Sequence, residues 1–315
     1  MAYINVDEVY ILDNTGLQVD MATDIPFADA GFTDAQKEQA RANIAAGGTN
    51  PNLLDNPWWG SNEVINQRGV SSATLTTTMT YTIDRWQMNY STTAGSYSLG
   101  TDGITFTVGY RVYARQLFPD VTRFEGKALT VSMLLSDGTI LSGTIASRTA
   151  GTEQVFYNGG GTKIYFATTN TLNFYVSSNV TVRAIKLELG TVSTLANDVP
   201  PDYGTELAKC QRYFYRLPFV TNYPIGYGYA QTATSFRVAI PIPVSMRAAL
   251  SSVSYSGSPY IIGQGSSIAV TALSASGIVP TSYVDLAATV SGATQFQSYV
   301  LIGSDTGYID LSADL

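Results

Sequence analysis

Between Asn52 and Leu195 no apolar run goes far before a turn signal interrupts it: Thr-Ser-Gly clusters near residues 91 to 103, Asp137-Gly138, Asn158-Gly159-Gly160-Gly161, and Thr168 to Asn170. Many short runs so punctuated argue for an antiparallel sandwich. The best formed of them, Val180-Thr-Val-Arg-Ala-Ile-Lys-Leu-Glu-Leu189, alternates well and closes at Gly190. Long Ala/Leu/Glu/Lys stretches of the kind that build helices are nearly absent, while 21 Tyr with many Thr and Val suit pleated, half-buried surfaces.

At 315 residues the chain exceeds one ordinary core, and Val199-Pro-Pro-Asp202 marks a boundary. Beyond it, Asp202 or Thr205 can cap a short helix through Glu206 to Arg212, followed by an aromatic strand at Tyr213-Phe-Tyr215. Phe236, Val238, Ile240 and Ile242 alternate, with Pro241 and Pro243 confining that stretch to a sheet edge or to its very end. Segments 267 to 273, 283 to 290 and 296 to 302 read as further strands, and no fixed-period repeat supports a β-helix. At the other end, residues 2 to 12 and 17 to 27 form a hairpin around Asp13-Asn-Thr-Gly16 that is too small to stand alone in water.

The clear helix is 34 to 45, with Thr33 as N-cap, Gln36 three residues on and Gly47-Gly48 as the stop. Its apolar face is thin, which suggests packing against symmetry-related copies; the alternative is a solvated connector. The expectation is therefore an all-β chain of two β-sandwich domains, 50 to 199 and 200 to 315, preceded by a short β segment (1 to 31) and one oligomerising helix with its linker (32 to 49).

The formal charge is −7 with no His, and the 17 basic residues are scattered singly along the sequence, so no nucleic-acid partner is expected. Without His, triads of Ser-His-Asp type and His-rich zinc sites are excluded, leaving carboxylate chemistry and oxygen-ligand metals. The single Cys210 cannot form an intrachain disulfide and reads as a small buried apolar residue. No stretch of about 18 apolar residues is present, and the first twenty residues lack a signal-peptide pattern, so neither membrane insertion nor secretion is expected.

Three stretches carry a resemblance. Phe32-Thr-Asp-Ala-Gln-Lys-Glu-Gln-Ala-Arg-Ala-Asn-Ile-Ala-Ala-Gly47 is similar to the helix-and-stop segment that precedes a distal module in bacteriophage tail-fibre proteins. Asn52-Leu-Leu-Asp-Asn-Pro-Trp-Trp59, Ile65-Asn-Gln-Arg-Gly69, Tyr81-Thr-Ile-Asp-Arg-Trp86 and Ile185-Lys-Leu-Glu-Leu-Gly190 together resemble the carbohydrate-binding-module-like jelly rolls of phage receptor-binding proteins. Glu206 to Tyr215, with Ile242-Pro-Val-Ser-Met-Arg-Ala248, looks like the C-terminal β module that often follows them. The resemblance implies a homotrimeric virion protein, made in the host cytoplasm, whose first 31 residues attach to another virion protein and whose distal part adheres to a cell-surface or mucus glycan without catalysis. A tail fibre is the first reading, a head fibre or capsid decoration protein the second, and a tail-spike depolymerase using a carboxylate pair such as Asp84 with Glu188 the third.

Candidate residues follow from side-chain chemistry. Trp59 could stack on a pyranose, whereas Trp86 beside Asp84 and Arg85 reads as a core anchor with an adjacent ion pair. Asn66, Arg68 and Glu188 read as a polar network across the same domain, so Arg68, Asp84, Arg85, Trp86 and Glu188 form an expected structural clasp. Tyr227 and Tyr229, in the glycine-interrupted run from Tyr223, and Tyr255, Tyr260 and Tyr283 at or near turns, suit ligand contact; the alternative is that they cover strand faces or a subunit interface. No cofactor is expected, and calcium stays open without an Asp-x-Asp-x-Asp-Gly loop to locate it.

Overall fold

The computed structural model describes residues 50–169, 171–263, 265–276 and 283–315, together with the backbone of three short N-terminal strands. These three, Ile4–Asn5, Glu8–Leu12 and Gln18–Asp20, pair antiparallel in chain order, so the stretch expected as one strand over 2 to 12 contributes two strands that pair with each other. The helix expected over 34 to 45 lies outside the described residues.

Two six-stranded antiparallel sheets follow. The first runs, in spatial order, Ile140–Ile145, Leu129–Leu135, Val180–Leu189, Gly103–Thr107, Ser96–Gly100, Ser72–Thr74; the second runs Gln154–Gly159, Thr162–Phe166, Thr171–Val176, Arg111–Leu117, Trp86–Ser91, Thr80–Ile83. The chain crosses between sheets every one to three strands, so each sheet is built of hairpins and single strands joined by crossovers. Both inner faces feed one buried cluster, with Met133 and Leu187 from the first sheet and Met88, Ala114 and Ile164 from the second. At its centre Trp59 and Trp86 meet edge to face with centroids 4.9 Å apart, and both also approach Phe174. Strand Val180–Leu189 is buried on both faces, because Trp58 and Leu195 cover the side that points away from the sandwich core.

A second buried cluster begins at Phe219 and ends at Ala313. Its walls are a three-stranded sheet (Phe214–Phe219, Gly307–Ser312, Ser252–Ser256) and a seven-stranded sheet (Ser266–Ala269, Pro259–Gly263, Ser298–Gly303, Pro224–Thr232, Ser235–Pro241, Tyr283–Thr289, Ala272–Ala275). Strand Ser235–Pro241 is interior to its sheet and ends at Pro241, which the missing N–H requires. Between the clusters, the helix Tyr203–Gln211 is capped by Asp202, whose carboxylate accepts from Thr205 N at 2.8 Å. Its Cys210 is fully buried, and burial pushes the thiol well above its ordinary range.

One residue holds much of this together. Asn56 sits at φ 52°, in the left-handed region that Asn tolerates better than most residues. Its carbonyl accepts both indole N–H groups, from Trp59 and from Trp86, each at 3.0 Å. Its side chain accepts from Ile65 N and donates to Ile65 O and Asp84 O at 2.8 to 2.9 Å, and its own N–H donates to Glu206 Oε2 at 3.0 Å. Beside it, Gln116 points inward and its amide pairs with both backbone groups of Asp55.

Asn56→Gly is expected to lower unfolding free energy by about 2 kcal/mol or more, because Ile65 N and Asp84 O lose their partner at roughly 1 kcal/mol or more each and Ile65 O keeps only the 3.4 Å bond from Asp84 N. Asn56→Ala should lose about 1 kcal/mol beyond that, since a Cβ without a compensating hydrogen bond is strained at positive φ. Urea unfolding curves of both variants check the order; equal stability of the two would contradict the backbone part of the argument.

Candidate functional site

The sequence Gly226-Tyr-Gly-Tyr229 lies in strand Pro224–Thr232 and places its side chains on one side only. A Cβ on Gly226 would come within 2.7 Å of Val238 Cγ2, and one on Gly228 within 1.8 Å of Arg237 O and 2.8 Å of Phe236 Cζ. The space over the glycines is thus filled by the neighbouring strand's core residues. The intervening tyrosines are turned to the outer face, with Tyr227 69 % and Tyr229 47 % exposed.

Cross-strand register fixes their surroundings. Tyr227 stands between Val300 and Ala239, and Tyr229 between Ser298 and Arg237. One strand further, Tyr283 pairs with Pro241 and Asp285 with Ala239. On the other side, Ile262 pairs with Val300 and Tyr260 with Ile302, and the Tyr260 hydroxyl donates to Asn222 Oδ1 at 3.4 Å. Arg237 and Asp285 form an ion pair on this face, and that hydrogen bond raises the guanidinium pKa further. The result is a broad outer face carrying Tyr227, Tyr229, Tyr260 and Tyr283 around a paired cation and carboxylate.

Two of the expected contact residues are elsewhere. Trp59 is fully buried between the first two sheets and its N–H is spent on Asn56, so it cannot stack on a ligand. Tyr255 belongs to the three-stranded sheet, half-buried against the second core. Tyr223, 67 % exposed just ahead of Pro224, is a further exposed aromatic at the start of the same strand.

The expected clasp divides into separate networks. Trp86 is fully buried in the first core. Arg68 does not reach Glu188: its Nη2 pairs with Asp314 at 2.5 Å, and its guanidinium lies 3.8 Å over the Phe214 ring and 5.0 Å from that of Tyr81. Arg85 pairs with Asp55 at 3.0 Å rather than with its neighbour Asp84, donates to Leu117 O and stacks 3.4 Å over Tyr213. Asn66 closes its own turn, accepting from Gly69 N and donating to Val70 O. Glu188, fully buried, accepts from Thr194 N and Thr194 Oγ1, while Lys186 donates to Thr194 and to Asp198 at 2.7 Å, pinning residues 190 to 198 on the first sheet. Asp84 and Glu188 are therefore both sealed from solvent in different networks, and this pair offers no groove to a substrate. Among the described residues no group of three or more Asp, Glu, Cys or His side chains is placed to hold a metal ion, and no helix is long and apolar enough to cross a membrane.

Arg68, Arg85 and Asp84 instead belong to the junction between the two sandwiches, where Gln67 donates to Phe214 O, Arg216 donates to Arg68 O, and the Tyr81 hydroxyl meets the backbone of Leu315. Burial pushes the Asp84 carboxyl up to about 7, outweighing the Gln67 N–H that it accepts at 2.6 Å and the field of Arg68.

The folded carboxyl keeps its proton to about pH 7, whereas the exposed one releases it near 3.8. Between those values the folded state holds the extra proton, so this group's contribution to stability falls as pH rises through the window, by a few kcal/mol in all, at about 1.4 kcal/mol per unit. Asp84→Asn is expected to remove that slope, read as the urea midpoint at intervals from pH 4 to pH 8; an unchanged slope would show that Asp84 ionises normally. No protein-family model, no curated protein and no solved structure matches this chain.

Proposed function

We propose that the chain is an adhesive, non-catalytic virion protein, a phage tail fibre in the first reading, whose outer seven-stranded sheet face binds a glycan. The observation that carries the adhesive part is the Gly-in, Tyr-out strand that presents Tyr227 and Tyr229 beside Tyr260 and Tyr283. Tyrosine rings supply rigid contact area at low entropic cost, with an apolar face for the C–H side of a pyranose and a hydroxyl for its rim. The Arg237 and Asp285 pair amid those rings adds donors and acceptors suited to sugar hydroxyls. Aspartate is depleted at the core of protein interfaces, so the place of Asp285 amid the rings favours a hydroxylated ligand over a second copy of the chain.

The virion part rests on the ordered motifs from Phe32 to Ala248 and their resemblance to phage fibre proteins. In this reading residues 1 to 31 attach to another virion protein, and closed threefold symmetry supplies the contacts that the small N-terminal meander lacks. A head fibre or capsid decoration protein would use the same face.

Two outcomes follow. Sedimentation of the full chain is expected to give a trimer at micromolar concentration, and a monodisperse monomer would remove the threefold model. On a glycan array, Tyr227→Ala with Tyr229→Ala is expected to lower affinity at least tenfold without changing the thermal midpoint or the sedimentation coefficient, each stacking ring contributing about 1 kcal/mol. Retained glycan binding in that variant would refute the site, and a loss of trimer instead would make the face a subunit interface.

A further inference from the structure

The cations that are scattered in sequence converge in space. A cleft of about 450 Å³ between the two sandwiches is lined by Arg85, Arg123, Lys209, Arg212 and Arg247, with Asp55 as its lone acid. Its volume lies within the range of small-molecule sites. Asp55 pairs with Arg85 and Glu206 pairs with Lys209, which leaves Arg123, Arg212 and Arg247 without an ion pair among the described residues. Three guanidinium groups without an ion pair, of which only Arg123 feels a nearby carboxylate in Asp120, stand out at one concave site in a chain of net charge −7.

Three of the four arginines have neighbours that orient them, while Arg212 stands exposed at the helix end. Arg123 stacks 4.6 Å from the Phe124 ring, and Arg247 donates to Ala313 O at 3.1 Å while lying 5.4 Å from the ring of Tyr213. Arg85 is 1 % exposed and fixed on three sides by Asp55, Leu117 O and Tyr213, yet its Nη1 is buried without any hydrogen-bond acceptor. A buried guanidinium N–H with no acceptor is costly and marks a site short of one oxygen. Fixed arginines with spare donors are suited to carboxylate, sulfate or phosphate oxygens, which they meet through charge-assisted and often bidentate hydrogen bonds.

We propose that the cleft between the sandwiches is an oxyanion-binding site, in which Arg123, Arg212 and Arg247, with Arg85 behind them, hold a ligand bearing a carboxylate, sulfate or phosphate group. The site is independent of the tyrosine face and draws its affinity from charge. Because its walls come from both sandwiches, the bound anion also bridges them and stabilises the junction by mass action.

The test is isothermal titration of the full chain with glucuronate, sulfate and phosphate at matched ionic strength, with glucose as the neutral control. Saturable binding of at least one oxyanion, no binding of glucose and a rise in thermal midpoint with the same ligand are expected; glucuronate binding alone points to an acidic saccharide, and sulfate or phosphate binding to a tetrahedral group. Arg212→Gln, at an exposed helix end, should weaken binding about tenfold, and Arg123→Gln with Arg212→Gln further, with unchanged circular dichroism. Absence of saturable binding by all three anions at millimolar concentration, or undiminished affinity in the double variant, would overturn the proposal.

Discussion

The backbone carbonyl of Asn56 accepts two tryptophan N–H groups at once, and the packing of the first sandwich turns on that bifurcated acceptor. Two indoles can be buried edge to face in one core only if both polar hydrogens are satisfied, since each unsatisfied one would cost about 1 to 3 kcal/mol. A single carbonyl does this at a residue whose φ of 52° lies in the left-handed region. The same residue's side chain then fixes Ile65 and Asp84, and its N–H reaches Glu206 of the connecting helix. The first core and the attachment of the second thus depend on one residue in a left-handed conformation.

The junction built around that point is unusually polar and aromatic. Arg68 over Phe214, Arg85 over Tyr213 and Arg216 over Tyr308 alternate planar cations with rings, and each guanidinium also has a carboxylate, in Asp314, Asp55 and Asp310. Such pairs contribute little net stability after desolvation, but breaking one partner leaves an uncompensated buried charge. They therefore fix one relative arrangement of the two sandwiches more than they strengthen it. Asp84 shows the limit of this compensation, with one carboxylate oxygen on Gln67 N and the other buried without a partner, which is why it favours its proton.

Much of the fold was legible because it is local. Alternation marked Val180–Leu189, Asp202 announced its helix, and the prolines placed the end of Ser235–Pro241. The tyrosine face was legible in part: glycine between tyrosines signals a strand whose inner side is filled from elsewhere, although only register could bring Tyr260 and Tyr283 to the same face. What failed was partner choice. Arg85 stands next to the plausible Asp84 and Arg68 reads as a partner for Glu188, but their real partners lie 30 residues back in Asp55 and 246 residues ahead in Asp314. Trp59 failed for the opposite reason, since an aromatic in a motif reads alike whether it lines a cleft or fills a core. Asn56 carried one signal, an Asn before a Pro at a strand-poor stretch, that points to a turn and says nothing of the two indoles it serves.

Net charge is the least transferable of the sequence-level inferences. An excess of seven acids spread over a surface this large creates a weak field, and at physiological salt each exposed charge is screened within about 8 Å. A concave site walled by five cations responds to its own lining, because the low-dielectric walls focus the local field and the distant carboxylates are screened from it. An acidic protein can accordingly carry one cation-rich cleft without attracting polyanions generally: nucleic acid needs a basic stripe matched to a repeating backbone, whereas a single oxyanion needs only a few fixed guanidinium groups at one point. The uncharged hydroxylated chemistry suited to the tyrosine face and the anionic chemistry suited to the cleft are therefore compatible in one chain. Their different dependence on salt separates them: ring stacking is nearly indifferent to ionic strength, while affinity in the cleft falls as ions compete for the same donors.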